Sequence, residues 1–370
     1  MADLDKLTGG AGFEISLTIP TATPDDLMTW HANGNVKDSQ INVGDQQLRD
    51  LSGLVQMEKG QLRIDGLNGD FYNQATRNGS VSGTAQVDLQ QLTQTSVGLN
   101  FEQLPLPWLV SVAQEALPQF SQQLKQPVIN SLSGQIDASV NYQPTHVKGQ
   151  TPSLQIVAKS KEISVSGQLL NDFKLNGSLQ NNQLELSKLS GRIGSGGKID
   201  ASGNWSIQAN QATGKLKWNQ VPLAALSGLK DAWPTAMAGT SSGGITVSTP
   251  NGVANIDQYL VNGAIGLKEL QVQQFKARDI GFDIVTKNGE LLLENFRNAN
   301  GKIDVDLDGK LTLTAPHRFE VDAKINKLSV TELLSNFTSV DDEIDVAQLT
   351  GVLRGGFKIC LLYTSPSPRD

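Results

Sequence analysis

The sequence predicts a mostly β protein: an elongated antiparallel repeat sheet with one short helix per repeat. Three observations carry this. Apolar and polar residues alternate strictly through long stretches, a unit of several elements recurs at intervals of 106 to 122 residues, and a strand-to-helix junction sits inside each unit.

The first recurring element is a strand: GQLRIDGLNG from Gly60, NQLELSKLSG from Asn182 and GELLLENFRN from Gly289. Apolar positions match as Leu62, Ile64, Leu67; Leu184, Leu186, Leu189; and Leu291, Leu293, Phe296. A strand with a central glycine follows, and Gly83, Gly203 and Gly309 align. Next come VGLNFEQLPLPWL, GKLKWNQVPLAAL and VDAKINKLSVTEL, with Phe101, Trp218 and Ile325 in register. Each runs into a predicted helix, over Pro107–Leu124, Leu223–Met237 and Val330–Phe337. Pro105 and Pro222 stand where helices begin, which suits a fixed φ and a missing N–H. A glycine-marked strand closes each unit, aligning Gly134, Gly243 and Gly351. The expected units are 13–140, 141–250 and 251–359, the third cut short. The final residues 360–370, CLLYTSPSPRD, break the pattern and read as an adapter-derived or disordered tail outside the fold.

Within the strands the two faces differ. Ile199, Ala201, Gly203, Trp205 and Ile207 alternate with Asp200, Ser202, Asn204 and Ser206. Val305, Leu307, Gly309, Leu311 and Leu313 alternate with Asp306, Asp308, Lys310 and Thr312, and Val81 to Leu89 repeats the pattern. That is antiparallel sheet with one apolar and one wet face. One short helix per repeat is too small to cover such a face, and aromatics make up only 5% of the chain. The sheet therefore either closes on itself as a filled sandwich or curls into a trough with an apolar floor. Some 16 to 18 strands at ~4.8 Å each make a ribbon roughly 75–85 Å long.

Composition excludes several functions. Thirty Lys and Arg against 37 Asp and Glu give a net charge of −7, which argues against nucleic acid as a partner. The mean hydropathy of −0.24 fits a chain that is not embedded in lipid. The single Cys, Cys360, rules out a disulfide framework, and His31, His146 and His317 are too scattered to suggest a metal. MADLDKLTGG has no apolar signal core, and the near-apolar run Leu104–Ala113 is half a membrane span. DVDLDG from Asp304 opens like a calcium loop, but its twelfth position is Ala315 instead of Glu, so it reads as acidic residues on a wet strand face. GRIGSGGKID from Gly191 lacks phosphate-loop spacing and reads as a hairpin turn. No Ser, His and Asp placement suggests a triad, so no enzyme, cofactor or metal is expected.

The glycine-centred alternating strands, the unit of strand, Leu-Pro-Leu, short helix and glycine-marked strand, and the Asn/Gln-rich turns resemble the AsmA-like, TamB-related family of bacterial envelope-spanning proteins. The resemblance covers residues 13–359 and is one of pattern. It implies a β-taco-like trough with a hydrophobic interior, held in the periplasm of a Gram-negative-type cell and carrying phospholipid between inner and outer membranes. It also implies an inner-membrane anchor, which this sequence does not contain, so the expectation is a piece of an anchored parent. The candidate lipid-groove residues are Val81, Val87, Ile199, Ala201, Trp205, Ile207, Leu216, Trp218, Val305, Leu307, Leu311 and Leu313. The expected partners are phospholipid acyl chains, with outer-membrane assembly proteins beside them. The alternative is a periplasmic assembly factor or scaffold for outer-membrane β-barrel proteins, receiving polypeptide at the trough or at an open strand edge. A secreted β-solenoid is disfavoured because its rungs repeat every 20 to 30 residues.

Overall fold

Alternating sequence becomes sheet wherever a tight turn lets the chain fold back, and such turns punctuate this protein. The computed structural model describes residues 8–43, 46–73, 76–91, 94–110, 127–144, 152–228, 237–253, 255–272, 275–277, 279–298, 303–313, 317–330 and 351–363. The chain divides into two compact units, Met1–Gly191 and Arg192–Asp370.

Unit 1 is an antiparallel meander of β1 (Thr8–Thr18), β2 (His31–Val43), β3 (Gln46–Glu58), β4 (Gln61–Asn73), β5 (Thr76–Asp88), β6 (Ser96–Pro105), β7 (Ser133–Gln143), β8 (Ser153–Val165), β9 (Gln168–Gln180) and β10 (Gln183–Ile193). Each strand from β1 to β9 pairs with the next in sequence, and β9 pairs with β10. Between β6 and β7 lies the short helix α1 (Pro127–Asn130).

Unit 2 repeats the plan with β11 (Gly197–Ser206), β12 (Gln211–Pro222), β13 (Met237–Ser248), β14 (Leu260–Val272), β15 (Phe275–Ala277), β16 (Ile280–Lys287), β17 (Glu290–Asn298), β18 (Ile303–Thr312), β19 (His317–Ser329) and β20 (Val352–Tyr363). β15 and β16 lie along one line against β14, pairing Ala277 with Leu270 and Ile280 with Leu267. All other pairings join sequence neighbours and are antiparallel.

Four hairpins close with two-residue loops in which both φ angles are positive: Lys59-Gly60, Ser166-Gly167, Asn181-Asn182 and Asn288-Gly289. These are the mirror-image turns whose twist matches that of the strands, and Gly and Asn tolerate them best. Gly60, Asn182 and Gly289, the residues that align in the sequence, are each the second residue of such a turn.

A bulge recurs at one position in every unit of the sequence. The register slips between Phe101 and Leu104, between Trp218 and Val221, and between Ile325 and Leu328. Gln103 and Gln220 sit in the left-handed region at φ 54° and 52°. Their N–H groups donate to side chains of the following strand, Gln103 to Asp137 Oδ1 at 3.1 Å and Gln220 to Ser242 Oγ at 2.8 Å. The ladder makes Ala138, Gly243 and Gly355 equivalent, because each pairs with the residue before the slip. Gly134 is therefore matched by Gly239 and Gly351, and Gly243 belongs four residues further along its strand. Gly134 and Gly239 share the same unusual φ, 112° and 109°.

Among the described residues the expected helix per repeat is not found. Helical backbone covers 106–110, α1 lies outside the predicted stretches, and Leu223–Gly228 forms a 3-10 turn. Between Pro222 and the Ser227-Gly228 breaker the backbone tightens into 3-10 geometry instead of α-helix. Of the third stretch only Val330 is described; 111–126, 229–236 and 331–337 lie outside the described residues. The junction itself persists: Leu104, Leu106, Val221 and Leu223 are all buried, at 2%, 7%, 5% and 4% exposure. The boundary expected at 140 falls inside β7, and the one at 250 falls in the loop before β14. β20 runs on through Cys360–Tyr363, four residues expected to lie outside the fold; their apolar character suits continued pairing, and Leu361 faces Phe319. Among the described residues no helix is long and apolar enough to cross a membrane.

Candidate functional site

The pairing registers place apolar residues in continuous rows that cross the strands. In unit 1 one row runs Ile15, Gly34, Val55, Ile64, Ala85, Val97, Tyr142, Leu154, Leu179. In unit 2 the row runs Ala201, Leu216, Ile245, Gly263, Ile284, Leu293, Gly309, Val321, Ile359. Directly paired residues share a face, so each row is one side of the sheet. Eight strand spacings of ~4.8 Å make each row about 38 Å long measured along the sheet.

Glycines on these faces hold the neighbours' side chains. A Cβ built on Gly243 would meet the Trp218 ring at 2.6 Å, and one on Gly309 would meet Leu293 Cδ1 at 3.1 Å. A Cβ on Gly83 would meet Leu99 Cδ2 at 2.9 Å. Large side chains thus lie down over bare backbone, which flattens the apolar face. The Trp218 indole N–H is satisfied by Ser241 Oγ at 2.8 Å, a buried hydroxyl on the same face.

The twelve predicted groove residues divide between the units. In unit 1, Val81 pairs with Gly69 and Phe101, and Val87 pairs with Leu62. In unit 2, Ile199 pairs with Trp218, Ala201 with Leu216 and Trp205 with Ala212. Val305 pairs with Ile325, Leu307 with Ala323, and Leu311 with both Leu291 and Phe319. Two of the twelve fall outside strands: Ile207 follows β11 in a turn and Leu313 follows β18. Val81 alone among them is fully buried, at 5% exposure; ten are half-buried and Ile207 is exposed. In the centre of a filled sandwich such residues would be sealed from solvent.

Sequence reasoning missed Ile245, Ile265, Ile284, Leu293 and Val321, which continue the same face. The signal was present in the alternation of GGITV and GFDIV. One end of the unit 1 face is closed. Trp108 packs on Phe71 with ring centroids 4.8 Å apart, and Phe71 lies 6.2 Å from Phe101. Trp108 thus anchors the stretch after β6 to the sheet, as core packing predicts.

The opposite face is wet and charged. Lys215, Lys217 and Asn219 are exposed, alternating with the half-buried Leu216 and Trp218. Among the described residues its one buried carboxylate is Glu320, at 7% exposure, ringed by Lys310 at 3.2 Å, Lys358 at 3.9 Å and Arg318. The hydrogen bond from Lys310 holds the Glu320 carboxyl below its usual range, with the surrounding cations outweighing the cost of burial. A carboxyl whose pKa falls on folding stabilises the fold above its unfolded pKa and loses that contribution as pH drops through the folded value. Glu320→Gln should therefore lower the melting temperature at pH 7, and the difference from the parent should shrink as pH falls from about 5 to about 2. Thermal melts of the two proteins across that range check this; a difference constant with pH would exclude the ion cluster as its cause.

The remaining motifs lie on strand faces and turns. Asp306 and Asp308 are exposed on the wet face, and Asp306 accepts a hydrogen bond from Asn326 at 2.9 Å. Residues 194–196 form the turn after β10. His31 starts β2 and lines a cavity of about 760 Å³ whose walls mix Asn33, Gln56, Glu58 and Arg63 with Met28 and Met57. Among the described residues no group of three or more His, Cys, Asp or Glu converges as a metal site. Comparison with protein-family models, curated proteins and solved structures finds no match.

Proposed function

We propose that this chain is a non-enzymatic lipid carrier whose apolar sheet face holds phospholipid acyl chains on a path between inner and outer membranes. The observation that carries the reading is the face itself: continuous apolar rows across each unit, with ten of the twelve predicted groove residues half-buried and Val81 alone of them sealed. Two acyl chains hold about 30 methylenes, and at ~0.8 kcal/mol each their exposure to water costs on the order of 25 kcal/mol. A row about 38 Å long offers a place for most of that surface while leaving a headgroup in water. Affinity would then follow chain area, which suits a face without polar recognition groups. The resemblance to the AsmA-like family points the same way, toward a trough in the periplasm.

Native mass spectrometry of the protein purified from cells tests this. Co-purified phospholipid is the expected result. Its absence in every preparation, with unfolded β-barrel protein captured instead, would replace the reading with that of an assembly factor.

A further inference from the structure

Units 1 and 2 each build the same corner. A loop ends in a 3-10 turn, Leu27–Thr29 in unit 1 and Ile256–Gln258 in unit 2. The aromatic residue after each turn ties the loop to itself. Trp30 Nε1 donates to the Pro24 carbonyl at 3.0 Å, and Tyr259 Oη donates to that of Val253 at 2.6 Å. The turn then lies against the glycine of a mirror-image hairpin. A Cβ on Gly60 would stand 3.0 Å from Met28 Sδ, and one on Gly289 would stand 3.5 Å from the Asp257 carbonyl oxygen. The strands beside both corners keep the same register, so their residues match one to one.

On the wet face unit 1 carries the directly paired row Ser16, Asn33, Gln56, Arg63, Gln86. The matching row of unit 2 is Thr246, Asn262, Val285, Leu292, Lys310. His31, first in its strand, is matched by Leu260. Where unit 2 has three aliphatic side chains, unit 1 has an imidazole, an amide and a guanidinium. Folding does not require these groups, because unit 2 makes the same sheet without them. They line the cavity of about 760 Å³, a size usual for ligand sites. Its charges are already matched: Arg63 Nε lies 2.7 Å from Asp65 Oδ2, and Lys59 Nζ lies 3.7 Å from Glu58 Oε1. Amides and hydroxyls dominate the rest. Gln86 Nε2 donates to Gln61 Oε1 at 3.0 Å, which leaves that pair with further donors and an acceptor. An amide sets donor and acceptor side by side, the pattern that two neighbouring hydroxyls satisfy. An anion has no donor to give the amide oxygens or Glu58.

We propose that this cavity binds a neutral oligosaccharide, whose hydroxyls bond to Asn33, Gln56, Gln61 and Gln86. Met28, a 44% exposed lining residue, supplies an adaptable apolar surface for the C–H side of a sugar ring. The site lies on the face opposite the apolar rows, so it stands or falls independently of lipid binding.

The probes are maltotetraose, cellotetraose and chitotetraose, with tetragalacturonate and inorganic phosphate as the anionic counterparts. Each is titrated into the full chain carrying a carbon-13 label on its methionine methyls. The sequence has only four methionines, of which Met28 lines the cavity and Met237 lies in unit 2. At least one neutral tetrasaccharide should shift the Met28 methyl saturably, with Kd at or below about 1 mM, and leave Met237 unmoved. Gln56→Val together with Arg63→Leu gives unit 1 the lining of unit 2. That pair should weaken binding at least about tenfold through the lost hydrogen bonds. It should leave the melting temperature within about 2 °C, because both side chains are exposed. If tetragalacturonate or phosphate alone moves Met28, the cavity is an anion site made by His31, Lys59 and Arg63, and the proposal is overturned. A Met28 signal unmoved by all three neutral sugars, or undiminished binding to the double variant, overturns it equally.

Discussion

Gly263→Val should destabilise unit 2 by about 3 kcal/mol and lower its melting temperature by roughly 6–12 °C. Gly263 lies in the centre of the unit 2 row, between Ile245 and Ile284. A Cβ there would stand 2.3 Å from the Gly244 carbonyl oxygen and 2.8 Å from Ile245 Cα, both backbone atoms that cannot rotate away. It would also stand 2.7 Å from Ile245 Cγ2, so the valine must displace both a strand and the side chain lying over it. The ladder has to part locally, at the cost of hydrogen bonds and packing together. Gly266→Ala on the same strand is the control, because its nearest neighbour beyond the chain is the Ser242 carbonyl oxygen at 3.6 Å. It should change stability by less than about 1 kcal/mol. Circular dichroism melts of the two variants decide the matter; equal melting would mean that the Ile245–Gly263 pairing is wrong.

That contrast explains what was legible in the sequence. Period-two alternation is a property of single strands, so Ile199 to Trp205 and Val305 to Leu311 could be assigned to one face without knowing any partner. The mirror-image turns were visible as well, since Lys59-Gly60 and Asn288-Gly289 place glycine where positive φ is needed. The bulges were not visible. Gln103 and Gln220 are ordinary residues held at positive φ by Asp137 and Ser242, which arrive from another strand. A tertiary hydrogen bond leaves no local mark. For the same reason Gly243 was matched to Gly134: both follow a serine-rich stretch, and only the pairing register reveals that Gly239 is the true equivalent. Of the predicted helices, the described residues hold helical backbone over 106–110 and a 3-10 turn over Leu223–Gly228. A proline can mark where a helical segment starts, but it does not decide whether the turn after it is α or, as at Leu223–Gly228, 3-10.

The functional reading turns on whether charge is tolerated on the apolar face. Ala201→Glu and Leu311→Arg should abolish lipid capture while lowering stability by no more than about 1 kcal/mol. Both positions are half-buried on the same face of unit 2, so a long charged side chain can bend its terminus into water. Acyl chains on the row would then meet a charge that they can neither solvate nor displace, and burying an unpaired charge costs several kcal/mol. Leu104→Glu supplies the opposite case. Leu104 is 2% exposed beneath the junction after β6, with no route to solvent, and that substitution should unfold unit 1. Thermal melting is measured beside photo-crosslinking to phospholipid from Ala201 and Leu311 in the otherwise unaltered protein. Retained melting with crosslinks lost in the charged variants supports an open lipid-bearing face. If Ala201→Glu instead collapses the melt as Leu104→Glu does, and no crosslink forms in the parent, these rows are sealed core and lipid carriage is the wrong function.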